Sequence, residues 1–289
     1  MADNESWLVF VDTNIMLDFY RLPGEAADRQ IAALLKHLDS IIVTEQVKME
    51  FMKNRQKVIL ESIKKLSFPN FESTPMIVSG NKYSSAFDKK ISEAKSLHKK
   101  IKEKVSKILK DPATHDPVFK GLKKLFSKDS PYNLKRPDKK RFLIRNLARK
   151  RFALGYPPRK PSDNSIGDAL NWEWIIHCAQ ASQGNPNILI VSRDTDYGIV
   201  YDKDAILNDW LKEEFKKRVS QKRKIRLTNR LTEALKLLEE NVADEDEKAE
   251  DDLIDDFFSS LTSTRYPVIE PFKVLRGRYI DDSQLGGPD

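Results

Sequence analysis

The sequence predicts an α/β fold, a three-layer α/β/α sandwich with a central parallel sheet and an added helical insertion. Three observations carry that prediction. Unbroken apolar runs rich in β-branched and aromatic residues occur at 7–11, 41–43 and 188–191, the pattern of strands buried on both faces. Stretches with apolar residues at helical spacing separate them, and strand alternating with helix argues for a parallel sheet covered on both sides. Acidic residues stand directly after the apolar runs or on the adjoining helices, in a chain that is otherwise basic.

The first run, Trp7-Leu-Val-Phe-Val11, ends at Asp12. A carboxylate there sits at the C-terminal edge of the sheet, where open α/β folds place their ligand crevices. Pro23-Gly24 reads as a loop, and Ile31, Leu34, Leu35 and Leu38 share one face of a helix expected over about 25–39. After the run 41–43, Thr44 is a candidate N-cap that places Glu45 and Glu50 on a helix whose apolar positions are Val47, Phe51, Val58 and Ile63. Residues 67–85, with Pro69, Pro75, Gly80 and several serines, read as a loop or linker.

The character then changes. Residues 88–160 hold 24 Lys/Arg against 7 Asp/Glu, while Ile91, Ala94, Leu97, Ile101, Val105 and Ile108 keep a helical stripe. A second amphipathic helix is expected over 141–152, broken by the Gly155 to Pro161 segment. The α/β pattern returns with a helix over 165–181, a turn at Gly184-Asn-Pro, and the run 188–191 leading into Ser192-Arg-Asp-Thr-Asp-Tyr-Gly. A helix over 205–219, an edge strand over 224–228 and a closing helix over 230–240 complete the pattern. Residues 239–256 carry 11 acids and one lysine, so a solvated, partly disordered run is expected. Its charge also complements the basic stretch, over which it could fold as a nucleic-acid mimic. An apolar segment at 266–275 has no assigned docking place. The expected organisation is a core of 1–66 and 162–241, a basic helical insertion over 67–161, and an acidic tail with the C-terminal segment over 242–289.

Composition narrows the function. The net charge of +7 on 289 residues and a pI of 9.2 favour an anionic partner such as nucleic acid. The single cysteine, Cys178, excludes an intrachain disulfide and a multi-cysteine zinc site, and the four histidines show no metal-ligand spacing. The lack of an 18-residue apolar run and of a signal-peptide pattern leads to the expectation of a cytoplasmic protein without a membrane partner.

Asp12, Glu50, Asp168 and Asp194 are each placed at or near one sheet edge by this reading. Like charges at 4 Å repel by about 4 kcal/mol at an effective dielectric near 20, and a divalent cation removes that conflict. Oxygen ligands without a Cys/His cluster suit Mg²⁺ or Mn²⁺ better than zinc.

In these motifs the chain resembles the PIN-domain nucleases. The correspondences are Val11-Asp12-Thr13-Asn14, the acidic helix from Val43 to Phe51 with Glu50, Ser165-Ile-Gly-Asp168-Ala169, and Ile190-Val-Ser192-Arg-Asp194-Thr-Asp196. The stretch between about 55 and 162 departs from the minimal family pattern. The resemblance implies that Asp12, Glu50, Asp168 and Asp194 form the catalytic, metal-binding set, with Asn14 and Ser192 as polar supports. Asp196 is either a fifth ligand or a turn residue. It also implies one or two Mg²⁺ or Mn²⁺ ions and hydrolysis of RNA, single-stranded or structured, with single-stranded DNA as the other substrate. A toxin, a phage-defence effector and an RNA-processing enzyme all fit, as do a protein partner or inhibitor and a homo-oligomer.

Simpler roles stand beside these. Asp12 and Asp168 could cap turns or helices, and Glu45 competes with Glu50, although a first-turn carboxylate is explained by the helix dipole alone. Trp172, Trp174 and Cys178 are expected in the core. A phosphatase of the haloacid dehalogenase type needs a second Asp two residues after the first, where this chain has Asn14. The rival with most support is a PIN-like module that binds RNA or a partner protein without cutting.

Overall fold

A computed structural model describes residues 5–64, 77, 81–159, 165–201 and 204–265, with side chains to residue 257. Most of the expected loop at 67–85, and the segment 266–275, lie outside the described residues. The chain divides into two compact units, 1–250 and 251–289; in the second, residues 251–265 are helical.

The centre of the first unit is a five-stranded sheet, parallel throughout, in the order β3-β2-β1-β4-β7. Its strands are β1 (Trp7–Val11), β2 (Ile41–Thr44), β3 (Asn133–Leu134), β4 (Asn187–Val191) and β7 (Ile225–Thr228). β1 is central and every one of its residues is buried, which explains why its run is continuously apolar rather than alternating. It pairs with β4 from Trp7↔Asn187 to Val11↔Val191, so Asp12 and Ser192 leave the sheet side by side. The chain winds outward from β1 through β2 to β3, then restarts on the other side with β4. The gap between the ends of β1 and β4 is therefore the topological switch point, the usual place for a ligand crevice.

Helices form a layer on each face of this sheet. On one, α2 (Gly24–Lys36), α6 (Pro117–Ser127) and α10 (Leu231–Leu237) pack on one another and on the strands. On the other, α8 (Gly167–Ala181) lies on β2 and contacts α3 (Glu45–Lys64), α7 (Lys140–Ala153) and α9 (Asp209–Arg218). α8 is nearly continuously buried, with Trp172 and Trp174 in the core. Thr44 begins α3, its hydroxyl accepting from the Val47 amide at 3.0 Å. A short helix α1 (Thr13–Asp18) follows β1 directly.

The basic stretch is woven into this body. After α4 (Lys82–Lys110) and α5 (Pro112–His115), α6 buries Val118, Leu122, Leu125 and Phe126, and β3 extends the sheet beside β2. Asp116 caps α6 and is buried against Arg55, 2.7 Å away, and the Tyr20 hydroxyl, also 2.7 Å away. Strand β3 has two residues, too few for a periodic pattern to show in the sequence.

Two expectations are corrected. The helix over 205–219 starts only at Asp209; residues before it form a hairpin of β5 (Gly198–Tyr201) and β6 (Asp204–Leu207). The β-branched and aromatic run Ile199-Val-Tyr201 finds a partner strand there, and a Cβ on Gly198 would stand 2.0 Å from the Ile206 carbonyl oxygen, so only glycine admits the pairing. Asn208 then starts α9, accepting from the Trp210 amide at 2.9 Å. The acidic run is also ordered. It forms α11 (Asp244–Arg265), in which Asp246 and Glu250 are buried. Asp246 is gripped by Arg29 at 2.6 Å. Glu250 accepts from the Leu231 and Thr232 amides, at 2.6 and 2.9 Å, and so satisfies the open N-terminus of α10. Arg29 and the α10 amides thus hold two acids of the run.

Candidate active site

The site is built at the switch point. The Asp12 amide donates to the Val191 carbonyl at 3.0 Å, which ties the end of β1 to the end of β4. Asp12 is also the N-cap of α1, its Oδ1 accepting from the Thr13 amide at 2.6 Å. Its Oδ2 accepts from Asn14 Nδ2 at 2.9 Å and from the Ser192 hydroxyl at 2.5 Å. Ser192 in turn accepts from the Asp194 amide at 3.0 Å. Asn14 reaches across to the same loop, accepting from the Arg193 amide at 3.4 Å. Asn14 and Ser192 thus fix Asp12 relative to the loop that carries Asp194 and Asp196.

Glu50 comes from α3. Its Oε2 accepts from the Thr13 hydroxyl at 3.0 Å and its Oε1 from Gln46 Nε2 at 2.6 Å. Asp168 is in the first turn of α8, where the helix dipole favours a carboxylate. Asp168, Asp194 and Asp196 each offer a carboxylate oxygen, and the three atoms lie within 4.8 Å of one another. Asp12 and Glu50 stand outside that trio but within electrostatic reach of it. Glu45 is not drawn in; it pairs with Lys48 at 3.5 Å on the half-exposed side of α3.

Proton affinities record the crowding. Burial pushes the Asp12 carboxyl up to about 6, with the Ser192 hydrogen bond opposing and Asp194 and Glu50 adding to the rise. For Asp168 burial comes first, and the charges of Asp12, Asp194, Glu50 and Asp196 all act in the same direction, to about 8. Tyr197 is wholly buried beside these acids. Its hydroxyl has no hydrogen-bond partner among the described residues, and burial followed by the carboxylate charges raises its pKa well above the ordinary value. A set of hard oxygen donors that resist ionising together is the set a divalent cation satisfies.

A family model of the PIN domain matches residues 9–197, running through the basic stretch as well as the four acidic motifs. The chain belongs to the PIN-domain family. PIN domains are generally nucleases, and the parallel sheet flanked by helices agrees with that fold. No curated protein and no solved structure matches the chain. Among the described residues no helix is long and apolar enough to cross a membrane.

Four residues at this PIN site escaped the sequence reading. Thr13 and Gln46 hold Glu50, and the second was findable because residues four apart share a helix face. A Cβ on Gly167 would stand 2.7 Å from Glu50 Oε1 and 2.8 Å from Gln46 Nε2, so the glycine lets α8 approach α3 closely. Tyr197 follows Asp196 directly, but nothing in the local pattern marks it as buried rather than as part of a turn.

Proposed function

We propose that this PIN domain is a metal-dependent endonuclease acting on RNA. The observation that carries the proposal is the gathering of Asp168, Asp194 and Asp196 within 4.8 Å at the switch-point crevice, with Asp12 and Glu50 beside them. Asp12, Glu50, Asp168 and Asp194 would hold the ion, Mg²⁺ or Mn²⁺, with Asp196 as a further ligand. Such an ion supplies a bound water of lowered pKa and positive charge for the leaving oxygen of a phosphodiester. Asn14 and Ser192 orient Asp12, as partners of ligands do. Thr13 and Gln46 orient Glu50. Tyr197, wholly buried beside these acids, is held in its protonated form by burial and by the carboxylate charges.

The test is cleavage of RNA and of single-stranded DNA by purified protein with added Mn²⁺ or Mg²⁺. Asp12→Asn is expected to abolish cutting, and RNA is expected to be cut in preference to DNA. Equal cleavage by wild type and variant would assign the activity to a contaminant. Calorimetry showing no Mn²⁺ binding would leave a non-catalytic RNA- or protein-binding module as the better reading.

A further inference from the structure

Beside the carboxylates lies a groove of about 400 Å³ whose wall is cationic and whose floor is apolar. The cations are Lys135, Arg136, Arg141 and Arg145, against the single carboxylate of Glu45. Topology explains their position. β3 is parallel to β2 and ends at Leu134, opposite Thr44, so Lys135 and Arg136 leave the same sheet edge as Asp12 and Ser192. Two strand spacings, about 10 Å, separate β3 from β1. Arg141 and Arg145 are four residues apart and so share one face of α7. Arg136 and Arg145 are exposed, and Arg141 Nε is buried with no hydrogen-bond partner among the described residues. Lys135 has a partner in Asp129 at 3.1 Å, but that carboxylate is fully exposed and holds it weakly.

The floor is Leu134, Leu170 and Met49, the last 45% exposed. A methionine open to solvent beside two leucines is an apolar, polarizable surface against which an aromatic ring can pack. Gln46 joins the groove to the site, since it lines the groove and donates to Glu50 at 2.6 Å.

Resting on the nuclease reading, we infer that this groove is a subsite for one unpaired nucleotide next to the scissile bond, its base on Met49, Leu134 and Leu170 and its phosphate on Arg136, Arg141 and Arg145. Arginine suits the phosphate because its planar donors pair with two oxygens at once. A base must leave its stack to reach the floor, so the subsite selects unpaired strands over duplex. A run of acidic side chains alone, such as polyglutamate, would satisfy the wall but has no ring to place on the floor.

The test is fluorescence anisotropy of a labelled oligouridylate with the full chain carrying Asp12→Asn, so that binding is read without cleavage. Arg136→Glu with Arg145→Glu is expected to weaken binding at least about 10-fold and to flatten its salt dependence, each lost phosphate contact lowering the slope by about 1. Met49→Ala is expected to weaken binding of the oligomer and leave an abasic oligomer of the same length unaffected. Arg136→Gln with Arg145→Gln repeats the first test with less perturbation, and thermal melts confirm that each variant is folded. Unchanged affinity in the folded arginine variants overturns the subsite. Equal binding of duplex, or displacement by polyglutamate as effective as by oligonucleotide, also overturns it. In the chain with Asp12 intact, cleavage that Asp12→Asn abolishes but the arginine variants leave at the wild-type KM would remove the subsite and keep the nuclease. A chain that cuts nothing yet binds oligouridylate through these arginines would do the reverse.

Discussion

Helix α8 carries two acids five residues apart with opposite electrostatic fates, Glu173 buried and Asp168 half-buried. Glu173 is enclosed by Arg151 at 2.8 Å and Arg218 at 2.7 Å, and Glu214 completes the cluster by accepting from Arg151, Arg218 and the Trp172 indole. Burial works against the Glu173 carboxylate, but Arg218 and then Arg151 more than reverse it, and its pKa is lowered. Asp168 meets carboxylates instead of cations and its pKa rises to about 8. One cluster is a finished ion network that joins α7, α8 and α9. The other is electrostatically incomplete, and incompleteness in a crevice is what separates a candidate site from a structural ion pair.

Substitution should separate the two acids cleanly. Asp168→Asn is expected to reduce cleavage by about 10³-fold, the loss of roughly 4 kcal/mol of charge stabilisation, while raising the melting temperature of the metal-free protein at pH 8. Activity retained together with lower stability would make Asp168 structural and dissolve the contrast. Glu173→Gln should do the opposite, since it removes one of the two carboxylates that neutralise the Arg151 and Arg218 pair. A loss of about 3–5 kcal/mol in urea denaturation is expected, with kcat per folded molecule nearly unchanged. Ser192→Ala, which frees Asp12 Oδ2, should lower Mn²⁺ affinity about 10- to 100-fold by calorimetry.

A gentler discrimination comes from pH. Folded Asp12 and Asp168 keep their protons to about 6 and about 8, whereas unfolded aspartate releases them near pH ~4. The folded state binds the extra protons. Their contribution to stability is therefore fully present below about pH 4 and is lost as pH rises toward 8 in metal-free protein. Glu173 acts in the reverse sense, its contribution lost on acidification through its lowered pKa. Melting temperatures across this range without metal, then with Mn²⁺, should show the decline above pH 6 removed by the ion. A decline that Mn²⁺ does not alter would indicate that the acids bind no cation. The smallest effect expected is that of Gly167→Ala, whose Cβ meets the ends of Glu50 and Gln46. Because those side chains can shift, a few-fold fall in kcat with little change in stability is expected, measured by steady-state cleavage.

Asp12, Glu50, Asp168 and Asp194 could be picked out as candidates from sequence because each stands beside a strand or on a helix that its own neighbours specify, whereas Asn14 and Ser192 entered only through the resemblance to PIN domains. Continuous apolar runs determined β1, β2 and β4, and with them the sheet edge on which a carboxylate at position 12 must stand. Other features depend on partners distant in the chain. Strand β3 exists through its pairing with β2, the β5–β6 hairpin through the close approach that Gly198 permits, and the burial of Asp246 and Glu250 through Arg29 and the open N-terminus of α10. The same holds for the unlike surroundings of Asp168 and Glu173. Local pattern determined that both lie on one helix. Only packing decided which of them meets arginines and which meets other acids, because a charge's partner is set by proximity in space rather than by spacing along the chain.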